Sequence, residues 1–184
     1  YLDIPLQHCN DKILKKMNRR GDKKYLCALL DKLRERIPGL VLRTSIIAGL
    51  PGEGEEEFDE LCDFLREQKL LRAGVFPYSP EEGTRAAKME RVDSDEAARR
   101  AERIVDIQSE IIDAWNDERQ GDVMEVLCEG FDGQAQMFFG RSYAESPDID
   151  GRIYFTAEEE VTPGTFAHVR LTGTMDGELT GEMA

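Results

Sequence analysis

The chain holds 184 residues, 40% of them apolar and 34% charged, with 24 Lys or Arg against 38 Asp or Glu and a net charge of −14. That length suits one domain of ordinary size, or part of one with a small module attached, and the composition excludes a disordered chain. No apolar run approaches the roughly 18 residues of a membrane span, and no basic-then-apolar leader opens the sequence, so a cytoplasmic protein without membrane contact is expected.

The opening stretch YLDIPLQHCND begins as a strand, LDIPL, with the pattern already under way at Tyr1. The sequence is therefore expected to start within a domain. DKILKKM follows as a short amphipathic turn of helix. Leu26, Leu29, Leu30, Leu33 and Ile37 then recur at helical spacing on one face of a helix that stops before Pro38 and Gly39. VLRTSIIAG, residues 41–49, is β-branched and almost continuously apolar, as a strand covered on both faces should be. Phe58, Leu61, Cys62 and Leu65 mark the next helix, and RAGVFPYS the next strand. Strand, helix, strand, helix, strand is the βα grammar of a parallel sheet.

A longer helix is expected from an N-cap at Ser94 to a stop at Gly121, with Ala101, Ile104, Val105, Gln108, Ile111, Ile112 and Trp115 along one stripe. Beyond it VMEVLCEGF, QAQMFFGRS, GRIYF, FAHVRLT and GELTGEM are five short strand candidates between DG, SPDIDG and TPGT turns. They predict a small OB-like barrel and a domain boundary near residue 120, which divides the chain into 1–120 and 121–184. Charge divides there too. Residues 1–120 carry 21 bases against 25 acids and residues 121–184 carry 3 against 13, nets of −4 and −10. An acidic barrel repels phosphate backbones and attracts basic proteins.

Chemistry is sparse on the surface of this sequence. Cys9, Cys27, Cys62 and Cys128 are too widely spaced for a CxxC metal motif and read as small buried hydrophobes or free thiols; no metal ligand is assigned. His8 and Cys9 are neighbours, but neither His8 nor His168 has a ligand partner nearby in sequence. GLPGEGEEEF, residues 49–58, is a glycine-rich βα turn at a place where α/β proteins bind ligands, without a Walker or dinucleotide signature, and taken alone it reads as a tight turn. Its Glu55, Glu56 and Glu57 sit in a helix's first turn, where negative charge complements the backbone dipole. Arg43 and Thr44 are polar residues in an apolar strand; Arg43 meets either a structural carboxylate or a ligand's carboxylate. Gln7 stands at a strand's C-terminal end, where barrel sites are built. RRGDKK at 19–24 reads as a solvated loop, with contact to an anionic cofactor or substrate as its alternative. EEE at 158–160 reads as barrel surface and Asp148 and Asp150 in SPDIDG as a turn.

In order along the chain, PLQHCND with ILKKMNRRG, LRTSIIAGLPGEGEEEF and GVFPYSPEEGTRAAKM resemble the second half of the radical S-adenosylmethionine domain of methylthiotransferases. GRSYAESPDIDGRIYF and VTPGTFAHVRL resemble the TRAM domain that ends those proteins. The PLQH and SPDIDG blocks are similar to the branch that modifies ribosomal protein S12 of the small subunit, and the acidic tail makes tRNA a poor partner.

The resemblance implies an α/β fold, the C-terminal half of a partial (β/α) radical SAM barrel followed by a small all-β OB-like TRAM barrel. It implies methylthiolation of an aspartate β-carbon in S12, with S-adenosylmethionine and two [4Fe-4S] clusters as cofactors. The cysteines of both clusters are expected before residue 1, so that the 184 residues by themselves would be inactive. By resemblance Gln7, Arg43, Thr44, Ile47, Gly49, Phe76 and Tyr78 face S-adenosylmethionine, and Glu145, Asp148 and Asp150 dock the basic protein. Against the family's GxIxGxxE element Ile47 and Gly49 match, while Ser45 and Gly52 stand where Gly and Glu are usual. Gly54 takes the place of a Thr helix cap, and the last strand lacks the aromatic ending DLWG. An open sheet edge implies dimerisation through it as a further expectation.

Overall fold

The computed structural model describes residues 1–184. They form two compact units, Leu2–Ile111 and Ile112–Ala184, the second also taking in Tyr1.

The first unit is a parallel sheet of three strands in the order β1 (Leu2–Asp3), β2 (Leu42–Ala48) and β3 (Arg72–Pro77). Helices α1 (Asp11–Lys16), α2 (Lys23–Arg36), α3 (Glu55–Gln68) and α4 (Ser94–Asp117) connect and follow the strands. In β2 burial alternates without a break: Leu42, Thr44, Ile46 and Ala48 are buried, and Arg43, Ser45 and Ile47 are half-buried. The buried set packs with Leu26 and Leu30 of α2, Phe58, Leu61, Phe64 and Leu65 of α3, and Ala101, Ile104 and Ile107 of α4. The helices therefore cover one face of the sheet, and the other face is left to Arg43, Ser45 and Ile47 with their β3 partners Arg72, Gly74 and Phe76. The expectation that β2 is covered on both faces is corrected here.

Local signals explain the boundaries. Asn10 caps α1 by accepting from Lys12 and Ile13 N–H, and Asp22 caps α2 by accepting from Tyr25 N–H. Gly54 begins α3 without a side-chain cap; Glu57 compensates by accepting from Gly54 N–H at 3.0 Å. In front of α4 the capping side chain is Asp93, which accepts from Asp95 N–H at 2.9 Å, so Ser94 is the first helical residue and not the cap. α4 stops at Asp117, short of Gly121, and its buried stripe holds Ile107 while Val105 is 49% exposed. Gln108 is buried with a purpose: its amide nitrogen donates to the carbonyls of Leu70 and Leu71, fixing the turn into β3.

The second unit is a closed five-stranded barrel of β4 (Val123–Asp132), β5 (Met137–Arg141), β6 (Ile153–Thr156), β7 (Phe166–Met175) and β8 (Glu178–Met183), in the order β4-β5-β6-β8-β7. Met124, Val126, Cys128, Ile153, Phe155, Val169, Leu171 and Leu179 fill it, with Trp115 packed against them. Alternation along β4 as far as Cys128 and along β7 as far as Leu171 produces this interior, and the register shifts just beyond each. Gly140 and Gly181 are required by closure, since a Cβ there would stand 2.1 Å from Leu127 O and 2.4 Å from Arg170 O.

Candidate functional site

Parallel strands bring their C-terminal ends to one side, and in α/β folds that side carries the site. Here it is built from the segment after β1, the end of β2 and the end of β3. Gln7 adopts φ 70, and its backbone bridges β2, its N–H donating to Ser45 O at 2.8 Å and its carbonyl accepting from Ile47 N–H at 3.0 Å. Between the two paired stretches Pro5 has no N–H and Leu6 N–H goes to the Thr44 hydroxyl, which is why β1 is only Leu2–Asp3 in place of the longer strand LDIPL.

On the helix-free face Ile47 pairs in register with Phe76 and Ser45 with Gly74. The Phe76 ring folds back over Gly74: a Cβ on that glycine would lie 3.2 Å from Phe76 Cε2. Ile47 and the half-exposed Phe76 thus form a flat apolar shelf floored by a glycine. Tyr78 follows, its N–H donating to Ala48 O at 2.7 Å and its phenol oxygen buried without a hydrogen-bond partner.

Two residues expected at the site are placed elsewhere. Thr44 lies on the helix-packed face, is fully buried, and its Oγ1 accepts from Leu6 N–H at 3.1 Å. The two-residue period of a strand puts Thr44 on the face opposite Arg43, and polarity alone does not reveal which face is which. Arg43 shares the open face, but at the N-terminal end of β2, where its guanidinium pairs with Asp3 at 2.5 Å. Of its two open alternatives, the structure supplies the carboxylate from the chain itself.

Beneath the site is a buried ionic node that the sequence concealed. Glu53, 3% exposed, accepts from Gly49 N–H at 2.9 Å and from Arg100 Nη1 at 2.9 Å. Its second oxygen lies 3.2 Å from His8 Nε2, close enough for electrostatic contact but off the line of a directed hydrogen bond. His8 Nδ1 accepts from Asn10 N–H, which leaves Nε2 as the proton-bearing nitrogen facing the carboxylate. Arg100 also donates to the carbonyl of Glu53 and to Glu96, and lies over the Phe58 ring at 5.0 Å. Burial pushes the Glu53 carboxyl up, and His8, Arg100 and Gly49 N–H together outweigh it, holding the group below the ordinary carboxylate range.

The node holds Gly49 at φ 80, with its α-carbon against α4, where a Cβ would stand 2.4 Å from Ala97 Cβ. Residue 52, where the GxIxGxxE element has its acid, is Gly, and the neighbouring Glu53 is the carboxylate that anchors this turn. In sequence it was hidden by the acidic run that follows. The only signal was an acid directly after Pro51-Gly52 in a turn that needs an anchor.

Among the cysteines Cys9, Cys62 and Cys128 are buried and Cys27 is half-buried, and no three His, Cys, Asp or Glu side chains gather as a metal site. The Cys9 thiol donates toward Glu60 O, and burial with the nearby Glu60 charge pushes it up to about 12. These residues do not fit a cluster.

In the barrel unit Glu145 is buried and accepts from both the N–H and the hydroxyl of Ser142, so it organises the loop and is not a free docking carboxylate. Asp150 accepts from Ser146 N–H, and only Asp148 is exposed, at φ 60. The exposed acids Glu158, Glu159 and Glu182 instead line a hollow of about 520 Å³ with Thr156 and Met183.

Comparison with known proteins agrees with both units. The radical SAM superfamily matches residues 1–65 and the TRAM domain residues 121–184. A protein of Pelotomaculum thermopropionicum named ribosomal protein uS12 methylthiotransferase RimO is 48% identical over 99% of this chain and 41% of its own length. Its namesake from Acetivibrio thermocellus is 43% identical over 100% of this chain, again 41% of its own length. The chain thus spans 41% of each of these two relatives. Among solved structures, coproporphyrinogen III oxidase of Escherichia coli, described as a radical SAM enzyme, superposes with a TM-score of 0.51 at 22% identity, over 60% of this chain and 26% of that one. That likeness concerns the fold alone.

Proposed function

We propose that the chain is part of a radical S-adenosylmethionine methylthiotransferase of the RimO kind, the part that receives S-adenosylmethionine and docks the protein substrate. The substrate is an aspartate of the basic ribosomal protein S12, modified in the cytoplasm by addition of a methylthio group to its β-carbon. The observation that carries this reading is the similarity, along this whole chain, to 41% of the length of relatives named uS12 methylthiotransferases, together with the apolar shelf at the C-terminal side of the parallel sheet.

The shelf fits the nucleoside. Ile47 and Phe76 offer a flat apolar surface to adenine, Gly74 admits the Phe76 ring, and the buried phenol oxygen of Tyr78 has bonding capacity in reserve. Gly49 and the backbone of Gln7 shape the rim, and Glu53 with His8 and Arg100 fixes both against movement. When bound with reduced iron-sulfur clusters, two in this family, S-adenosylmethionine supplies the hydrogen-abstracting radical. The cluster ligands are not among these residues, so this chain's contribution is to bind, orient and exclude water. The acidic barrel supports a basic protein partner, with the Glu158, Glu159 and Glu182 hollow as the docking region in place of Glu145 and Asp150.

The test is to incubate the full-length enzyme containing this chain anaerobically with S-adenosylmethionine, sulfide, reductant and either S12 or tRNA. Peptide mass spectrometry should find one methylthio group on an S12 aspartate, and nucleoside mass spectrometry none on tRNA. Modification of tRNA alone would overturn the proposal.

A further inference from the structure

One segment runs against the charge of the whole molecule. Asp11–Lys24 carries seven bases, Lys12, Lys15, Lys16, Arg19, Arg20, Lys23 and Lys24, against two acids, in a chain of net charge −14. Both acids are engaged by backbone: Asp11 accepts from Lys23 N–H at 2.8 Å and Asp22 from Tyr25 N–H at 2.8 Å. Two of the bases are neutralised by α3, Lys12 by Glu57 at 2.7 Å and Lys23 by Glu60 at 3.3 Å, with Glu55 and Glu56 also exposed on that helix. Lys15, Lys16, Arg19, Arg20 and Lys24 are exposed and have no acidic partner.

The segment is also held in place. Asn10 caps α1, Ile13 and Leu14 anchor it in the core, and Asn18 at φ 56 and Gly21 at φ 94 fold the connection to α2. Tyr25 is 57% exposed and lays its ring on Gly21, where a Cβ would meet Cδ1 at 2.7 Å. An aromatic plane thus stands beside the free bases.

We propose that this surface, Lys15, Lys16, Arg19, Arg20 and Lys24 with the Tyr25 ring, binds RNA through its phosphate backbone and one stacked base. The chemistry favours RNA over other anions. A membrane surface would hold the bases more firmly with exposed apolar side chains beside them, and Ile13 and Leu14 of α1 are buried. An acidic peptide has no use for an aromatic plane, whereas a nucleic-acid strand offers bases to stack on it. The Debye length of about 8 Å at physiological salt lets the patch act independently of distant acids. Phosphate contacts of this kind position without reading sequence. On the proposed function above, the acidic barrel would meet the protein and this patch the RNA of one ribonucleoprotein substrate.

The probe is a short fluorescein-labelled RNA duplex of arbitrary sequence, followed by fluorescence anisotropy with the full chain. Binding is expected with Kd of about 10⁻⁴ to 10⁻⁶ M at physiological salt. The combined variant Lys15→Gln, Lys16→Gln, Arg19→Gln, Arg20→Gln should weaken it at least about tenfold and flatten the log–log salt slope by about 3 to 4. Lys32→Gln with Arg36→Gln, at the other end of α2, should change neither. Tyr25→Ala should weaken single-stranded RNA about fivefold or more, leaving the duplex unaffected.

Equal affinity in the fourfold variant, with circular dichroism unchanged, would overturn the proposal. So would competition by polyglutamate as effective as RNA at equal charge, or tRNA bound far more tightly than the duplex. S12 binding measured on the same variants should be retained, so that failure of the RNA reading and failure of the protein-substrate reading are told apart.

Discussion

Removal of Glu53 tests the physical account of the site most directly. Glu53→Ala deletes a carboxylate whose side chain is fully buried, together with the acceptor for Gly49 N–H and the partner of Arg100, itself 9% exposed. Breaking a buried ion pair from one side costs about 3–5 kcal/mol, because the surviving Arg100 loses its buried carboxylate and keeps only the partly exposed Glu96 at 3.0 Å. With an m-value of about 2 kcal/mol/M, the urea midpoint read from the helical circular dichroism of the sheet unit should fall by roughly 1.5–2.5 M.

Two companion measurements separate the node from generic damage. Adding Arg100→Leu should recover part of the loss, since no unpaired charge then remains. The pH profile carries a definite sign. The folded-state pKa of Glu53 lies below its ordinary value of 4.5, so its contribution is fully present above pH 4.5 and is lost as pH falls through the depressed value. Glu53→Ala should therefore lose less stability than the parent over that acid range. A change under about 1 kcal/mol in Glu53→Ala, or strict additivity with Arg100→Leu, would refute the reasoning.

Other outcomes follow from the same geometry. Thr44→Val leaves Leu6 N–H buried and unpaired and should lower stability by about 1–3 kcal/mol in urea titration, with S-adenosylmethionine affinity of the full enzyme unchanged. Gly49→Ala meets both the positive φ and Ala97, and should cost about 2–4 kcal/mol by the same titration. Phe76→Ala removes a half-exposed ring and should weaken S-adenosylmethionine binding by calorimetry while leaving the unfolding free energy within about 0.5 kcal/mol of the parent. In native thiol labelling followed by mass spectrometry, half-buried Cys27 should react well before Cys9, whose buried thiol is pushed up to about 12.

Sequence alone determined the succession of elements, because each depends on neighbours a few residues away. The β-branched run of β2, the helical spacing of Leu26 to Leu33 and the five short strands between turn residues are local patterns, and each element formed where its pattern lay. Ile47 and Phe76 were singled out by resemblance, and the structure sets them side by side in register on the open face of the sheet.

Which way a side chain faces, and what it meets, depended on contacts distant in the chain. Thr44 and Arg43 are adjacent in sequence and fall on opposite faces of one strand. Glu145, a docking residue by resemblance, is buried and accepts from Ser142 N–H and hydroxyl. Glu53, in an acidic stretch, became a buried anchor only when His8, 45 positions earlier, and Arg100, 47 positions later, converged on it. No local pattern encodes such a node, since its energy exists only after three separate elements have packed and excluded water from the charges between them.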